Sequence, residues 1–309
     1  MRISVFIGEG PSGTGVNGLV DAAIKAEQLE FDGIWYPQLN NVDALTVIGL
    51  ASNNTSKIQM GTAVIPIFTR HPLVMAQQAM TVQIAASGRL SLGLGLSHKI
   101  IMQSSFGLKY ENLAQHAMEY LSIINQLNES SSVDFTGQFY RAEWTIALPT
   151  FSKFPLFFAA LGPKMLDASG KYADGTITWM AGPTVLERDI VPKITRSAQI
   201  SERPSPKILV GIPIAITNDT EKAIEAVNKQ FGFYKKFPSY KRLLDLENTS
   251  CISDVAIIGN KSEVKKKLER YHTAGATEIL AMAFPIGEDH NQELDETWNI
   301  LSEIVKEIN

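Results

Sequence analysis

Gly88–His98 reads GRLSLGLGLSH and combines the pattern of a buried strand with a polar end. The strand part, Leu90–Leu96, carries glycines at positions 93 and 95. Glycine weakens a strand, so it usually marks a place where a ligand or another part of the backbone comes close. The polar pair Ser97–His98 at the end predicts the edge of a binding site, although packing against neighbouring strands explains the two glycines equally well.

Seven further segments have the same strand character, and helix patterns separate them along the chain. Such alternation predicts a parallel β/α architecture, and eight units in 309 residues predict the α/β class and a closed (β/α)8 TIM barrel. No Pro-, Gly- or Ser-rich linker divides the chain, so residues 1–309 are expected to form one domain. The predicted strands are Ile3–Ile7, Gly33–Tyr36, Ile58–Pro66, Leu90–Leu96, Phe154–Ala160, Thr176–Trp179, Lys207–Ile214 and Thr277–Ala283.

Roughly sixty residues separate the fourth predicted strand from the fifth, which predicts an insertion between them. Within it, Glu111–Leu127 has the apolar stripe of an amphipathic helix, Val133–Arg141 has the character of a small hairpin, and Lys99–Gly107 has that of a loop. Active sites of such barrels lie at the C-terminal ends of the strands. Functional residues are therefore expected at this end of the barrel, which we call the mouth.

The overall composition limits the classes of protein to which this chain can belong. Apolar residues make up 45% and charged residues 19%, as in a soluble globular protein with a large core. A net charge of −4 without a basic block argues against nucleic acid or an anionic membrane as a partner. No apolar run approaches the length of a membrane span, and the single cysteine, Cys251, excludes an internal disulfide, so a cytoplasmic location is expected.

The five histidines do not show the spacing of metal ligands, so no metal site is expected. His98 ends a predicted barrel strand and is the candidate catalytic residue, able to handle a proton or contact a ligand; a structural histidine is the alternative. His71 is expected near the mouth and His116 partly buried in a helix. His272 and His290 are expected at the surface.

Two glycine-containing turns follow predicted strands. Gly8–Gly13 (GEGPSG) matches the dinucleotide pattern G-x-G-x-x-G, but the second strand continues into Pro37-Gln38 without the acidic residue that a ribose requires. A Rossmann site is therefore not predicted. Ala159–Met165 (AALGPKM) leads from small residues through a glycine turn into a helix, which presents backbone N–H groups to an anion, and Lys164 adds positive charge. We favour phosphate binding there over an ordinary tight turn.

Small and aromatic residues suggest where a flat ring could bind. Gly61–Pro66 ends the third predicted strand with small residues that would let such a ring approach. Trp35 and Trp179 either line an apolar pocket or belong to the core.

Together these motifs resemble the bacterial-luciferase-like superfamily of flavin and deazaflavin oxidoreductases. They are most similar to the branch that uses coenzyme F420, within a group that resembles methylenetetrahydromethanopterin reductase. The resemblance covers essentially the full chain. The motifs that carry it are GTAVIP (61–66), TRHPLVMAQQA (69–79), SGRLSLGLGLSH (87–98) and AALGPKMLDASGKYADGTITWMAGP (159–183).

The resemblance implies a cofactor bound at the mouth, a small-molecule substrate and a homodimer. The implied cofactor is coenzyme F420, with FMN as the alternative. A bulge with a cis peptide at Ala63–Val64 would back the ring, and Leu161–Met165 would bind the phosphate. The residues expected to contact the cofactor are Gln38, Thr62, Ala63, Val64, Leu96, Ser97, Ala160, Leu161, Gly162, Pro163, Lys164 and Met165.

The chain departs from one group within this superfamily. The sugar-phosphate dehydrogenases carry Asp-His after the second strand and Glu after the fourth, whereas this chain has Gln38-Leu39 and His98. Their acid/base pair is absent, so their activity is not expected here. The expected function is hydride transfer between F420 and a small organic substrate. The alternatives are a monooxygenase that uses reduced flavin and oxygen, and a non-catalytic flavin-binding protein.

Overall fold

The computed structural model describes residues 1–7, 15–40, 42–148, 150 and 152–308, so the glycine motif at 8–13 lies outside the described residues. The strands are β1 Arg2–Phe6, β2 Gly33–Tyr36, β3 Gln59–Thr62, β4 Ile65–Pro66, β5 Leu90–Gly95, β6 Ser132–Thr136, β7 Arg141–Thr145, β8 Leu156–Ala159, β9 Gly175–Trp179, β10 Lys207–Ile216, β11 Ile257–Gly259 and β12 Glu278–Ala283. The helices are α1 Val16–Gln28, α2 Ala44–Ser52, α3 Pro72–Ala85, α4 Lys99–Ser104, α5 Leu113–Ser130, α6 Pro163–Tyr172, α7 Pro183–Val185, α8 Val191–Ile200, α9 Thr220–Phe231, α10 Pro238–Glu247, α11 Lys261–Thr273 and α12 His290–Ile308.

Eight of the strands close into a barrel. β1, β2, β3, β5, β8, β9, β10 and β12 pair side by side in parallel, and β12 pairs again with β1. The closing register places Ile3 opposite Ile279. β4 continues the third barrel strand and pairs with β5, while β11 pairs with the end of β10. The predicted (β/α)8 TIM barrel is therefore confirmed, and each predicted strand corresponds to a barrel strand.

Apolar side chains fill the interior of the barrel and support the mouth. At the N-terminal end of this interior, Trp35 Nε1 donates a hydrogen bond to Glu278 Oε1 at 3.0 Å, so Trp35 belongs to the core. Phe6, Ala63 and Val64 are only partly buried and pack onto the interior cluster, so they form an apolar floor for the mouth. The cluster consists of Trp35, Phe157, Ile177, Leu209 and Leu280.

The segment between β5 and β8 contains α4, α5 and an antiparallel hairpin of β6 and β7. The predicted helix and hairpin are confirmed. The prediction of a loop over Lys99–Gly107 is wrong in part, because Lys99–Ser104 is helical and buries Met102. This helix has six residues, too few to show a helical period in the sequence. The interpretation of the whole segment as an insertion stays a prediction.

A buried carboxylate, Glu119 on α5, holds the turn of this hairpin. It accepts hydrogen bonds from the backbone N–H groups of Gln138 and Phe139 at 2.9 Å and of Tyr140 at 3.1 Å, and from Gln115 Nε2 at 2.8 Å. Burial raises the pKa of Glu119, but these hydrogen bonds outweigh it and hold the pKa below its ordinary value. The carboxylate thus accepts hydrogen bonds from three backbone N–H groups of the turn, which would otherwise need water as their partner.

We expect Glu119→Gln to destabilise the protein by about 1.5–3 kcal/mol, because a carboxylate that accepts several hydrogen bonds is replaced by a group that repels one donor. Urea unfolding at pH 7 measures this change. The control is Glu129→Gln, which removes an exposed ion pair with Lys153 and should cost at most about 1 kcal/mol. Because the folded pKa of Glu119 is lowered, its contribution is present above the ordinary carboxyl pKa and is lost as the pH falls through the lowered value. Equal effects of both substitutions would contradict this role.

Between β10 and β11 the chain leaves the barrel pattern and forms α9, a 3-10 turn at Gly232–Lys236, and α10. We call residues 231–247 the cap segment, because their side chains contact the loops that follow β5, β8 and β9. No structure is predicted from the sequence over most of this segment. In the part of the chain that the structure describes, no helix combines the length and the apolar character needed to cross a membrane.

Candidate functional site

The third barrel strand breaks at the mouth. The peptide bond Ala63–Val64 is cis, as expected, and it separates β3 from β4. Before the break, Thr62 Oγ1 donates to the carbonyl oxygen of Gly93 at 2.8 Å and accepts from its N–H at 2.9 Å. On the same side of the break, Ala63 N donates to Tyr36 O at 2.8 Å. The half-buried side chains of Ala63 and Val64 are thereby presented on the floor of the mouth.

The glycines of β5 make room for this bulge. A methyl group at Gly93 would lie 1.9 Å from the carbonyl oxygen of Thr62, and one at Gly95 would lie 2.5 Å from Val64 Cγ2 and 3.2 Å from Ala159 Cβ. The sequence left two explanations for these glycines, a nearby ligand and a closely packed neighbouring strand. Close packing by a neighbouring strand is therefore the correct one for both positions. The same packing brings the ends of the third, fourth and fifth barrel strands together around Val64.

The predicted phosphate loop follows β8. Gly162 is the N-cap of α6, Pro163 is the first helical residue, and no side chain caps this helix. A methyl group at Gly162 would have no atom within 4 Å, so the loop is open at this position. Ala160 is buried, Leu161 and Met165 are half-buried, and Lys164 is exposed. An uncapped helix start beside an exposed lysine suits a phosphate group.

Arg242 of the cap segment holds this loop and is not predicted from the sequence. Its guanidinium donates to Leu161 O at 2.9 Å and to Asp189 Oδ2 at 2.8 Å. Burial raises the pKa of Asp189, but hydrogen bonds from Lys193 and Arg242 outweigh it and lower the pKa overall. Arg242 lies 81 residues after Leu161, so no local pattern indicates the contact.

A second contact of the cap segment covers the candidate catalytic residue. The imidazole of His98 stacks on Phe237 with ring centroids 4.3 Å apart and an interplanar angle of 15°, and Tyr234 and Tyr240 lie farther along the same side. No hydrogen bond to the imidazole is found among the described residues. Burial lowers the pKa of His98, which favours the neutral form of the imidazole.

We expect the imidazole of His98 to titrate below its ordinary pKa of 6.5, because burial disfavours the charged form. Removing the stacked ring with Phe237→Ala should move the midpoint toward 6.5, and two-dimensional NMR of the histidine side chains measures it. Phe233→Ala is the control, since Phe233 is exposed and touches Phe237 rather than His98. A midpoint at or above 6.5 in the unsubstituted protein would contradict this environment.

The other predicted contacts lie around the same mouth. Ser97 has a left-handed backbone with φ of 61°, and its carbonyl oxygen accepts a hydrogen bond from Tyr110 Oη at 2.9 Å. Leu96 beside it is half-buried. Gln38 Oε1 accepts from Ala44 N at 3.3 Å, so this side chain is directed toward α2. The floor, the phosphate loop and the His98 region thus adjoin one another or the cap segment, whereas the side-chain hydrogen bond given for Gln38 among the described residues leads to α2.

Three of the four remaining histidines have the exposure that the sequence predicts. His272 and His290 are exposed, and His116 is partly buried on α5 with its ring 3.7 Å from that of Phe139. Across the described ranges, no group of three or more His, Cys, Asp or Glu residues is arranged to hold a metal ion.

Comparisons with known proteins agree with this architecture. A family model described as luciferase-like monooxygenase matches residues 1–278. The chain is 25% identical over 315 residues to a 5,10-methylenetetrahydromethanopterin reductase of Methanopyrus kandleri, with 87% of this chain and 89% of the relative covered.

Two solved structures share the fold. One is an F420-dependent secondary alcohol dehydrogenase in complex with an F420–acetone adduct, with a TM-score of 0.81, 21% identity, and coverage of 100% of this chain and 99% of that one. The other is the oxygenating constituent of 3,6-diketocamphane monooxygenase from Pseudomonas putida, a type II Baeyer-Villiger monooxygenase in complex with FMN. Its TM-score is 0.79 at 14% identity, with 99% of this chain and 98% of that one covered.

Proposed function

The chain belongs to the luciferase-like monooxygenase family, and on this basis we propose that it is an oxidoreductase that binds coenzyme F420 and transfers a hydride between the deazaflavin and a small organic substrate. A relative whose alignment covers 87% of this chain is a methylenetetrahydromethanopterin reductase, and a protein of the same fold is F420-dependent. Both similarities favour the deazaflavin over other cofactors.

One observation carries the proposal: the floor at Ala63–Val64 and the open helix start at Gly162 border one mouth. β5 packs against Val64 on one side and Ala159 on the other, and Ala159 leads directly into the phosphate loop. A cofactor with a flat ring and a phosphate needs both features. The residues present therefore fit such a group.

Each part of the site has a role that follows from its chemistry. The N–H groups at the start of α6 would bind the phosphate, and Arg242 would keep the loop in place through Leu161 O. The apolar floor at Ala63–Val64 would exclude water from one face of the ring. The neutral imidazole of His98 would accept or return the proton of a substrate hydroxyl. When bound, the deazaflavin would supply the carbon that takes up or gives back the hydride.

The second candidate function is a monooxygenase that uses reduced FMN and oxygen. It is favoured by the similarity to the FMN-containing Baeyer-Villiger monooxygenase. FMN also carries a flat ring and a phosphate, so the groups described above suit both cofactors. A homodimer in the cytoplasm remains part of the proposal.

Anaerobic assays with oxidised F420 and a panel of alcohols, and with reduced F420 and the matching ketones, test the proposal. Enzyme-dependent change in deazaflavin absorbance with at least one pair is the expected result. In a separate aerobic assay, substrate-dependent oxygen consumption with reduced FMN, without any change in F420 in the anaerobic one, would favour the monooxygenase. Tight binding of either cofactor with no turnover in either assay would indicate that the chain is a non-catalytic cofactor-binding protein.

A further inference from the structure

Aromatic side chains from several barrel elements pack together at the C-terminal ends of the strands. We call Phe6, Trp179, Phe231, Tyr234 and Phe284 the aromatic wall. The centroids of Phe6 and Trp179 lie 5.5 Å apart, although β12 and β10 stand between β1 and β9 in the barrel, so the two side chains meet inside the ring of strands. Trp179 also contacts Phe231 at 5.8 Å and Tyr234 at 6.3 Å, and Phe231 contacts Phe284 at 6.3 Å.

The wall contains one polar atom that lacks a partner. Trp179 Nε1 is buried, and no acceptor for it exists among the described residues. Trp35 shows the usual arrangement in the same barrel, because its Nε1 donates to Glu278 Oε1 at 3.0 Å. A buried indole N–H without an acceptor is unfavourable, and such groups are explained by water or by a ligand that supplies the acceptor.

The packing fixes the direction of this donor. Trp179 leans over the neighbouring strand at Gly211, where a methyl group would lie 2.9 Å from Trp179 Cε3. Its ring is also held edge to face by Phe6 and Phe231. A donor that is already oriented binds an acceptor at little entropic cost.

The cap segment offers little free positive charge for an anionic substrate. Its Arg242 already pairs with Asp189 and with Leu161 O. Lys235 and Lys236 follow Tyr234 but are exposed to solvent. A phosphate placed against the wall would be desolvated without a charged partner, which is costly.

We propose that the substrate is a weakly polar compound with one carbonyl or hydroxyl oxygen on an apolar body, and that Trp179 Nε1 donates a hydrogen bond to this oxygen. This inference rests on the proposed function, since it assigns the substrate of the same site. The apolar body would pack on the aromatic wall, and the single oxygen would meet the single unpaired donor.

The test is an NMR titration of 15N-tryptophan-labelled protein loaded with oxidised F420, which cannot pass a hydride to a ketone. The chain has four tryptophans, so four indole signals are expected, and Trp179→Phe assigns one of them. The probes are acetophenone and ethylbenzene, which differ in the carbonyl oxygen, and glucose 6-phosphate. We expect acetophenone to shift the Trp179 N–H proton signal downfield, as a hydrogen bond does, and ethylbenzene, which can only pack on the wall, not to shift it downfield, while the signal of exposed Trp144 stays in place.

Affinities give an independent measure. Trp179→Phe should weaken acetophenone binding by about 3- to 10-fold, the effect of one hydrogen bond, and change ethylbenzene binding by less than about 2-fold. Trp144→Phe is the matched control and should change neither the acetophenone affinity nor the ethylbenzene affinity. Glucose 6-phosphate should not bind the wall.

A Trp179 signal that does not move downfield at saturating acetophenone, or tighter binding of glucose 6-phosphate than of acetophenone, would overturn the inference. If Trp179→Phe failed to fold, single phenylalanine variants of the other three tryptophans would assign the signal by elimination. Binding of F420 is measured first and separately. If F420 does not bind, the proposed function fails, and the same titration on cofactor-free protein still decides whether Trp179 meets a ketone oxygen.

Discussion

Gly93→Ala is expected to destabilise the protein by about 3 kcal/mol and to abolish cofactor binding. The new methyl group would lie 1.9 Å from the carbonyl oxygen of Thr62 and 2.6 Å from Ile177 Cδ1. The first of these atoms is backbone, so no side-chain rotation relieves the overlap. The bulge at Ala63–Val64 must shift, and the floor of the mouth shifts with it. Urea unfolding and a fluorescence titration with F420 measure the two effects.

The matched control is Gly49→Ala, the same chemical change on helix α2. A methyl group at Gly49 meets no atom within 4 Å, so we expect this variant to gain about 0.5–1 kcal/mol from helix propensity. A Gly93→Ala variant with stability and F420 affinity like those of the unsubstituted protein would show that the bulge does not depend on this glycine.

Gly162→Asp is expected to abolish cofactor binding while leaving the protein folded. Aspartate is a favourable N-cap, so the carboxylate would accept the N–H groups at the start of α6 and add up to about 1 kcal/mol of stability. It would then occupy the place of the phosphate with a like charge. Like-charge contact costs several kcal/mol, so affinity should fall by about 100-fold or more.

Two further substitutions at the same position separate charge from size. Gly162→Ala places a methyl group in open space, and we expect F420 affinity to change by less than about 3-fold. Gly162→Asn caps the helix without the negative charge. Its affinity for F420 should lie between those of Gly162→Ala and Gly162→Asp. Undiminished F420 binding by a folded Gly162→Asp variant would place the phosphate elsewhere.

The barrel could be predicted because each of its strands has a local signal. Short apolar runs such as Gly33–Tyr36 and Lys207–Ile214 recur with helices between them, and the alternation alone implies parallel pairing. The break in the third strand has no such signal. Ile58–Pro66 has the apolar pattern of one continuous strand, and the cis peptide within it was expected from the family resemblance rather than from the residues.

Long-range contacts were beyond sequence reasoning. Phe237 covers His98 and Arg242 holds Leu161, yet the partners of each pair are at least 81 residues apart in the chain. The family resemblance predicted cofactor contacts for residues inside the shared motifs. It predicted nothing about the cap segment. Trp179 illustrates the limit: its position at the end of a strand was predicted, whereas its unpaired N–H depends on neighbours from β1 and α9.

The central claim is that the floor at Ala63–Val64 and the helix start at Gly162 bind a deazaflavin. Calorimetric titration of the purified protein with F420 and, separately, with FMN tests it most directly. We predict a dissociation constant for F420 of about 10 μM or tighter, and binding of FMN that is at least about tenfold weaker. Absence of F420 binding at these concentrations, or tighter binding of FMN, would contradict the claim.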